Sequence, residues 1–196
     1  FLDGNPCCLV LGDNIFYGQG LKKALLGAKE HIIGATIFAH KVRSPEQFGV
    51  VEFKNGKALS LQEKPNSPRS DFAVTGLYFF DDKAPALARS IKPSSRGELE
   101  ITDLNRLYLE KKQLNVELLG RGFAWLDTGS PSTLMSAGQF VQTLENRQGF
   151  KIACLEEIAL RNGWLSKSDL SFILDSMKKG EYNEYLASLM SDENLI

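Results

Sequence analysis

A chain of 196 residues is long enough for one ordinary domain with an appendage, and its composition, 43% hydrophobic and 24% charged, is that of a globular protein. A formal net charge of −1 offers no electrostatic basis for binding nucleic acid. The apolar runs are far too short to span a bilayer. We therefore expect neither a nucleic acid nor a membrane as a partner.

Alternating strands and helices are predicted over residues 1–130 from the periodicity of the apolar side chains. Strands are predicted at 7–11, 34–40, 49–53, 58–62, 73–80 and 115–119, with a short extended segment at 123–126. Helices are predicted at 20–29, 82–91 and 102–112, the last with Thr102 as its N-cap. Asn55-Gly56 between two strand-like runs predicts a tight hairpin.

Beyond residue 130 the pattern becomes helical. Helices are predicted from 131 to about 146 and at 155–161, 168–179 and 182–190. Ser130 before Pro131 is typical of a helix start, and Ser166 with Asp169 resembles a capping box. We predict an α/β region over 1–130 and a helical region over 131–196 that packs on the core or at a subunit interface.

The first residues suggest an N-terminally incomplete fold. The chain starts with Phe1 and enters a predicted buried parallel strand almost at once, and such a strand needs neighbours on both sides. We therefore interpret the sequence as the later part of a larger protein. Three cysteines, two of them adjacent in that strand (Cys7, Cys8 and Cys154), favour reduced thiols and a cytoplasmic location.

Two aspartates follow short apolar runs and are candidate ligands of a metal ion. Asp13 follows the strand at 7–11 and Asp127 follows the segment at 123–126. Ligands bind at the carboxyl edge of α/β sheets, and a pair of carboxylates suits Mg²⁺. Either aspartate alone is also explained as a turn former after a strand.

A second candidate group surrounds the predicted hairpin. Glu63 and Lys64 end a strand before Pro65, so they form either a solvated ion pair or a sheet-edge site where a lysine meets a phosphate. Gly49 and the segment 74–76 are either simple strand features or places where a ligand approaches the backbone.

Further along the chain, three acids precede the helix predicted at 102–112. The helix dipole explains Asp103 fully and Glu100 in part, which leaves Glu98 as a candidate sugar contact. Trp125 fits a core position better than a stacking platform.

Taken in order, these motifs resemble one enzyme family. They are Leu-Gly-Asp-Asn at 11–14, Phe-Gly-Val-Val-Glu-Phe at 48–53, Glu-Lys-Pro at 63–65, Ala-Val-Thr-Gly-Leu-Tyr-Phe at 73–79, Arg-Gly-Glu-Leu-Glu-Ile-Thr-Asp at 96–103 and Trp-Leu-Asp-Thr-Gly at 125–129. The set resembles the sugar nucleotidyltransferases, and within them the glucose-1-phosphate thymidylyltransferases, over essentially the whole chain.

This resemblance implies a Rossmann-like nucleotidyltransferase fold, a homotetramer and the use of Mg²⁺. It also implies dTTP and glucose 1-phosphate as substrates, with dTDP-glucose and pyrophosphate as products. By motif position, the resemblance implies these roles: metal ligands Asp13 and Asp127, a nucleotide or sugar contact at Asn14, glucose-binding positions Gly49, Glu63 and Val74, and a sugar-phosphate contact at Lys64.

The chain departs from the family at the glycine-rich loop and the lysine-proline segment that bind the triphosphate and the base, neither of which is matched here. Two alternatives therefore stay open. One is a non-catalytic sugar-phosphate-binding fragment or assembly subunit, and the other is a nucleotidyltransferase that uses UTP. We expect the 196-residue chain by itself to be inactive and only marginally stable.

Overall fold

The structure, a computed structural model, describes residues 2–30, 33–94 and 97–191. The chain divides into two compact units between Leu134 and Met135. Within the described residues, all strands lie in the first unit, and the second unit is built from helices. None of the described helices combines the length and the apolar character needed to cross a membrane.

The first unit combines strands and helices. Its described strands are β1 (Cys7–Val10), β2 (Asn14–Gly18), β3 (Ala35–Lys41), β4 (Gly49–Lys54), β5 (Lys57–Glu63), β6 (Phe72–Phe80), β7 (Leu114–Leu119) and β8 (Phe123–Asp127). Its described helices are α1 (Leu21–Glu30), α2 (Ala84–Ala88) and α3 (Ile101–Glu110), with a 3₁₀ turn at Pro45–Gln47.

Six strands form a mixed sheet in the order β1-β6-β3-β7-β5-β4, and β4 also pairs with β6. The pair β3–β7 is parallel, whereas the other pairs in this sheet are antiparallel. A separate antiparallel ribbon joins β2 to β8, with Asn14 opposite Asp127. This mixed α/β architecture confirms the predicted fold class.

Strand β3 lies at the centre of the sheet and is buried along most of its length. Its side chains alternate between two apolar clusters, as a strand covered on both faces requires. Ile37 packs in the cluster that contains Leu104 and Tyr108 of α3, and Phe38 packs in the cluster that contains Ala28 of α1. The sheet is therefore covered by α3 on one face and by α1 on the other.

The β4–β5 hairpin was correctly predicted from the dipeptide Asn55-Gly56. Both residues have positive φ, at 50° and 71°, as expected for a two-residue turn whose twist matches that of the flanking strands. The turn lies at one end of the hairpin. Gly49 and Glu63 pair with each other at the other end.

The prediction for the first strand was wrong in two respects. β1 pairs antiparallel with β6 and is largely exposed, with Val10 52% exposed and Cys8 exposed, whereas the sequence predicted a buried parallel strand. The apolar run 7–11 is equally compatible with an edge position, because periodicity alone does not reveal which strand lies beside it.

Three further elements differ from the predictions. The ribbon strand β2 was missed, because the segment 14–18 has no alternation of apolar and polar residues. Helix α2 is only five residues long, against a predicted helix at 82–91. Glu100 occupies the N-cap position of helix α3 without a capping hydrogen bond from its side chain, and Thr102 lies within the helix.

The second unit contains most of α4 (Pro131–Gln148) together with α5 (Leu155–Arg161), α6 (Lys167–Ser176) and α7 (Glu181–Ser191). A small core of Cys154, Leu170, Leu186 and Leu189 holds α5, α6 and α7 together. The predicted capping box at α6 is confirmed: Ser166 Oγ accepts from Asp169 N, and Asp169 accepts from Ser166 N.

Candidate active site

One pocket of about 190 Å³ in the first unit collects most of the residues that the sequence singled out. Seven of the eight predicted site residues line it, namely Asp13, Asn14, Gly49, Glu63, Lys64, Val74 and Asp127. They come from the β1–β2 turn and from five strands or strand ends, so the pocket is a product of the tertiary fold.

The two aspartates lie side by side. Asp13 Oδ2 and Asp127 Oδ1 are 3.6 Å and 3.1 Å from the position that a Cβ on Gly129 would occupy. The β2–β8 ribbon brings them together, and Thr128 N donates to the Asp13 carbonyl oxygen at 2.8 Å. The predicted route, through the carboxyl ends of parallel strands, was therefore wrong, because the ribbon is antiparallel.

Each carboxylate keeps one oxygen for a ligand. Asp13 Oδ1 accepts from Asn14 Nδ2 at 2.8 Å, and Asp127 Oδ1 accepts from Gly129 N at 2.9 Å. The second oxygen of each has no partner within the described residues. No third His, Cys, Asp or Glu of the described ranges joins them in a metal-binding group. Two adjacent carboxylate oxygens fit Mg²⁺, which is usually held by one or two carboxylates together with waters and substrate phosphates.

Asn14 links the carboxylate pair to the wall of the pocket. Its Oδ1 accepts from Gly76 N at 3.1 Å and from Trp125 Nε1 at 2.6 Å. Its Nδ2 uses one hydrogen for Asp13. The other hydrogen has no partner in the described part of the chain and can serve a ligand.

Glu63 is held at the base of the pocket by α3. Thr102 Oγ1 donates to Glu63 Oε2 at 2.5 Å. Opposite Glu63 in the hairpin lies Gly49, where an added Cβ would come within 3.3 Å of the same carboxylate oxygen. The small residue at position 49 therefore keeps Glu63 accessible from the pocket.

Lys64 supplies a positive charge at the rim. It is exposed, and its ammonium group makes no hydrogen bond or ion pair to any residue in the described ranges. Its φ of 40° is left-handed, although the residue before a proline usually adopts an extended conformation. This conformation costs about 1–2 kcal/mol for a residue with a Cβ. The hydrogen bond from Lys64 N to the Phe48 carbonyl oxygen, 3.1 Å long, helps to hold it.

Tyr78 lines the pocket and was missed by the sequence analysis. Burial, aided by the negative charge of Glu63, raises the pKa of its hydroxyl, so the group stays a neutral hydrogen-bond donor at physiological pH. Its position in the sequence could have indicated this role. Val74, Gly76 and Tyr78 occupy every second position of β6, so they share one face of the strand, and all three line the pocket.

Trp125 is a pocket residue rather than the core residue that the sequence favoured. It is half-buried, its indole nitrogen binds Asn14, and its ring lies 5.0 Å from that of Phe48. An aromatic side chain in the middle of a short apolar strand has the pattern of a core residue, so periodicity alone could not separate the two roles.

Glu98 is not brought into this group. It is exposed in the segment before α3, and its carbonyl oxygen accepts from Ser94 N. Because α3 begins only at Ile101, Glu98 is not carried towards the pocket by that helix, whose residues Ile101 and Thr102 do line it. Arg96, from the same motif, lies outside the described residues.

Comparison with known proteins identifies the family of the chain. The family model described as nucleotidyl transferase matches residues 1–143. The glucose-1-phosphate thymidylyltransferase of Neisseria meningitidis is 56% identical over 191 residues, which is 97% of this chain and 66% of that protein. The enzyme of the same name from Mycolicibacterium smegmatis is 50% identical over 98% of this chain and 67% of its own length. The chain thus spans about two thirds of the length of these curated relatives.

Solved structures show the same fold. A Bacillus anthracis protein solved as a glucose-1-phosphate thymidylyltransferase with sucrose bound has a TM-score of 0.61 and 35% identity, covering 71% of this chain and 56% of that one. UDP-glucose pyrophosphorylase with UDP-glucose also has a TM-score of 0.61, over 71% and 57% of the two chains, but at 21% identity it supports the fold alone. The match over residues 1–143, together with these identities, shows that the chain belongs to the nucleotidyl transferase family.

Proposed function

We propose that this chain forms the sugar-side and metal-side part of a glucose-1-phosphate thymidylyltransferase, which makes dTDP-glucose and pyrophosphate from dTTP and glucose 1-phosphate. One observation carries the proposal: a carboxylate pair, a lysine without a partner among the described residues and a set of neutral hydrogen-bonding groups line a single pocket. The names of the relatives at 50–56% identity support the choice of substrates.

Asp13 and Asp127 are the proposed ligands of Mg²⁺. Each has one carboxylate oxygen without a protein partner in the described ranges, and hard oxygen ligands are those that Mg²⁺ prefers. When bound, the ion would neutralise negative charge on phosphate oxygens. Without a cation, two adjacent carboxylates would repel a triphosphate, so their pairing supports a cation site.

The proposed reaction joins two phosphates directly. A phosphate oxygen of glucose 1-phosphate attacks the α-phosphorus of dTTP, and the bond from that phosphorus to the oxygen of the leaving pyrophosphate breaks. No covalent intermediate with the protein is needed. Positioning and charge stabilisation therefore account for most of the catalysis by the protein.

Lys64 is proposed to act on the sugar phosphate. Its ammonium group is not engaged by any described residue, so it can orient the attacking phosphate and neutralise part of its charge. Glu63, Gly49 and Val74 are proposed to contact the glucose ring. A carboxylate accepts hydrogen bonds from sugar hydroxyls, and the small Gly49 leaves room beside it.

Self-association and location are further parts of the proposal. Large apolar side chains such as Leu155, Trp164 and Phe172 are exposed in the second unit, and exposed apolar residues favour contact with another protein surface. This supports a homo-oligomer, for which the family resemblance implies a tetramer. The cytoplasmic location stays a prediction from the sequence.

The deciding experiment measures dTDP-glucose and pyrophosphate formed by the intact gene product from dTTP and glucose 1-phosphate. We expect turnover with Mg²⁺, loss of turnover with excess EDTA, and recovery when Mg²⁺ is restored. Equal turnover with UTP would favour the alternative nucleotide, and binding of glucose 1-phosphate without product would indicate a non-catalytic module. Full activity in excess EDTA would contradict the role of the carboxylate pair.

A further inference from the structure

The side-chain amide of Asn14 occupies a tightly fitted position. Gly76 lies directly against it, and a Cβ added at Gly76 would come within 2.6 Å of Asn14 Cγ and 2.7 Å of Oδ1. Such distances are far shorter than the roughly 3.5–4.0 Å at which non-bonded carbon atoms make favourable contact. Residue 76 must therefore be glycine for Asn14 to keep this position.

The hydrogen bonds allow the amide only one orientation. The two groups that face Oδ1, Gly76 N–H and the Trp125 indole N–H, can only donate. The group that faces Nδ2 is the carboxylate of Asp13, which can only accept when ionised. A rotation of the amide by 180° would set donors against donors and a carbonyl oxygen against a carboxylate.

The orientation of Asn14 decides in turn which oxygen of Asp13 is free. Asn14 Nδ2 binds Oδ1 of Asp13, while Oδ2 lies towards Asp127 beside Gly129. If the amide moved, the carboxylate of Asp13 would lose its only hydrogen bond within the described residues and could rotate away from Asp127. Groups that orient a metal ligand typically change metal affinity by 10–100-fold when they are removed.

We infer that Gly76 and Trp125 are positioning residues for the divalent cation: they hold Asn14, and Asn14 orients Asp13 towards Asp127. The inference rests on the proposed cation site, because it assigns these residues to that site. Gly76 contributes by the space that it leaves and by its N–H. Trp125 contributes through its indole N–H.

The test is a titration with Mn²⁺, followed by the electron paramagnetic resonance signal of the free ion, which reports binding without any turnover. The variants of the intact gene product are Gly76→Ala, Trp125→Phe, Asn14→Ala and Asp127→Asn. Gly122→Ala is the matched control, because an added Cβ there meets nothing within 4 Å. Circular dichroism establishes that each variant is folded.

We expect Gly76→Ala and Trp125→Phe to weaken Mn²⁺ binding by about 10–100-fold, and Gly122→Ala to leave it unchanged. In the Asn14→Ala background, neither substitution should weaken binding further, because both act through the same amide. Trp125→Phe adds no atom to the interior, so it tests the inference even if Gly76→Ala does not fold.

Two results would overturn the inference, and they can be told apart. If the unaltered protein binds Mn²⁺ no more tightly than Asp127→Asn, the cation site itself is wrong, and the positioning role fails with it. If the unaltered protein binds Mn²⁺ tightly but folded Trp125→Phe and Gly76→Ala bind equally well, or weaken binding independently of Asn14, only the positioning role is wrong.

Discussion

The contacts within each of the two units differ in how far apart in sequence the contacting residues lie. In the first unit, the hydrogen bonds of the pocket join residues far apart in sequence: Asn14 to Gly76 across 62 positions, and Trp125 to Asn14 across 111. In the second unit, many polar contacts are local, such as the Arg161–Glu157 pair at i and i+4. The candidate site thus lies in the unit whose geometry depends on strand register rather than on local sequence.

The cores differ in the same way. In the first unit, two apolar clusters cover the two faces of a sheet. In the second, the described cluster has four buried residues with six partly buried hydrophobic residues packed against them, and Leu170 is fully buried. A small core leaves each member responsible for a larger share of the stability. Substitutions should therefore separate the units: changes in the pocket should alter activity, and changes in the helical core should alter stability.

The largest expected effect is that of Asp127→Asn on turnover. The substitution removes a negative charge from the proposed cation site but keeps the size of the side chain, so the fold should survive. Even indirect partners of metal ligands change activity by roughly 10–100-fold, and a ligand itself should cost more. Product formation and thermal unfolding are the measurements. Asp71→Asn is the control, since its surface pair with Lys41 is exposed and contributes little. Near-normal turnover of folded Asp127→Asn would show that Asp127 is a turn former and not a ligand of the cation.

A smaller and more selective effect is expected for Lys64→Ala. Loss of a charge-assisted hydrogen bond to phosphate costs about 1.5–3 kcal/mol, which corresponds to roughly 10–150-fold in affinity. The affinity for glucose 1-phosphate should decrease while the affinity for dTTP stays unchanged, and separate titrations of the two substrates measure this. Lys54→Ala, at the other end of the same hairpin, is the control. A loss confined to dTTP would assign Lys64 to the nucleotide instead.

In the helical unit, Leu170→Ala should lower stability without altering the pocket. Truncation of a fully buried leucine costs about 2–5 kcal/mol. Hydrogen exchange should be faster in α5, α6 and α7, while the strands β3 and β6 keep their protection. Ser171→Ala, at an exposed position on the same helix, is the control and should change little. Equal loss of protection in the strands and the helices would show that the two units unfold together.

The smallest effect is expected from the capping box and depends on pH. Hydrogen bonds from the Ser166 side chain and backbone lower the pKa of Asp169. The folded state therefore binds the proton less readily than the unfolded state. The stabilisation is present above the ordinary carboxyl pKa of about 4 and is lost as the pH falls through the lower folded value.

Hydrogen exchange of the first turn of α6 below about pH 4 measures this loss. Asp169→Asn should be less stable at neutral pH and should lack the acid-side change. Asp175 lies on the same helix, and its side chain makes no hydrogen bond to a described residue, so Asp175→Asn should behave like the unaltered protein. A change of the same size in both variants would show that the capping box is not its source.

Elements governed by neighbours in the sequence were predicted well. Helix α5 has the predicted bounds, and the Asn55-Gly56 turn and the Ser166–Asp169 box are confirmed. Each depends on contacts within a few positions, which a single sequence displays directly. The ribbon strand β2 and the exposure of β1 were not foreseen, because both depend on which distant strand pairs with them.

The sequence by itself determined the types of most elements, the turns and caps between them, and the chemical groups that a phosphate-handling site needs. Only the tertiary structure decided that Asp13 and Asp127 lie side by side, that Asn14 is held between Gly76 and Trp125, and that Glu98 stays outside the pocket. The physical reason is strand register. A shift of one residue moves every side chain to the opposite face, and the register is set by pairings between segments far apart in the chain.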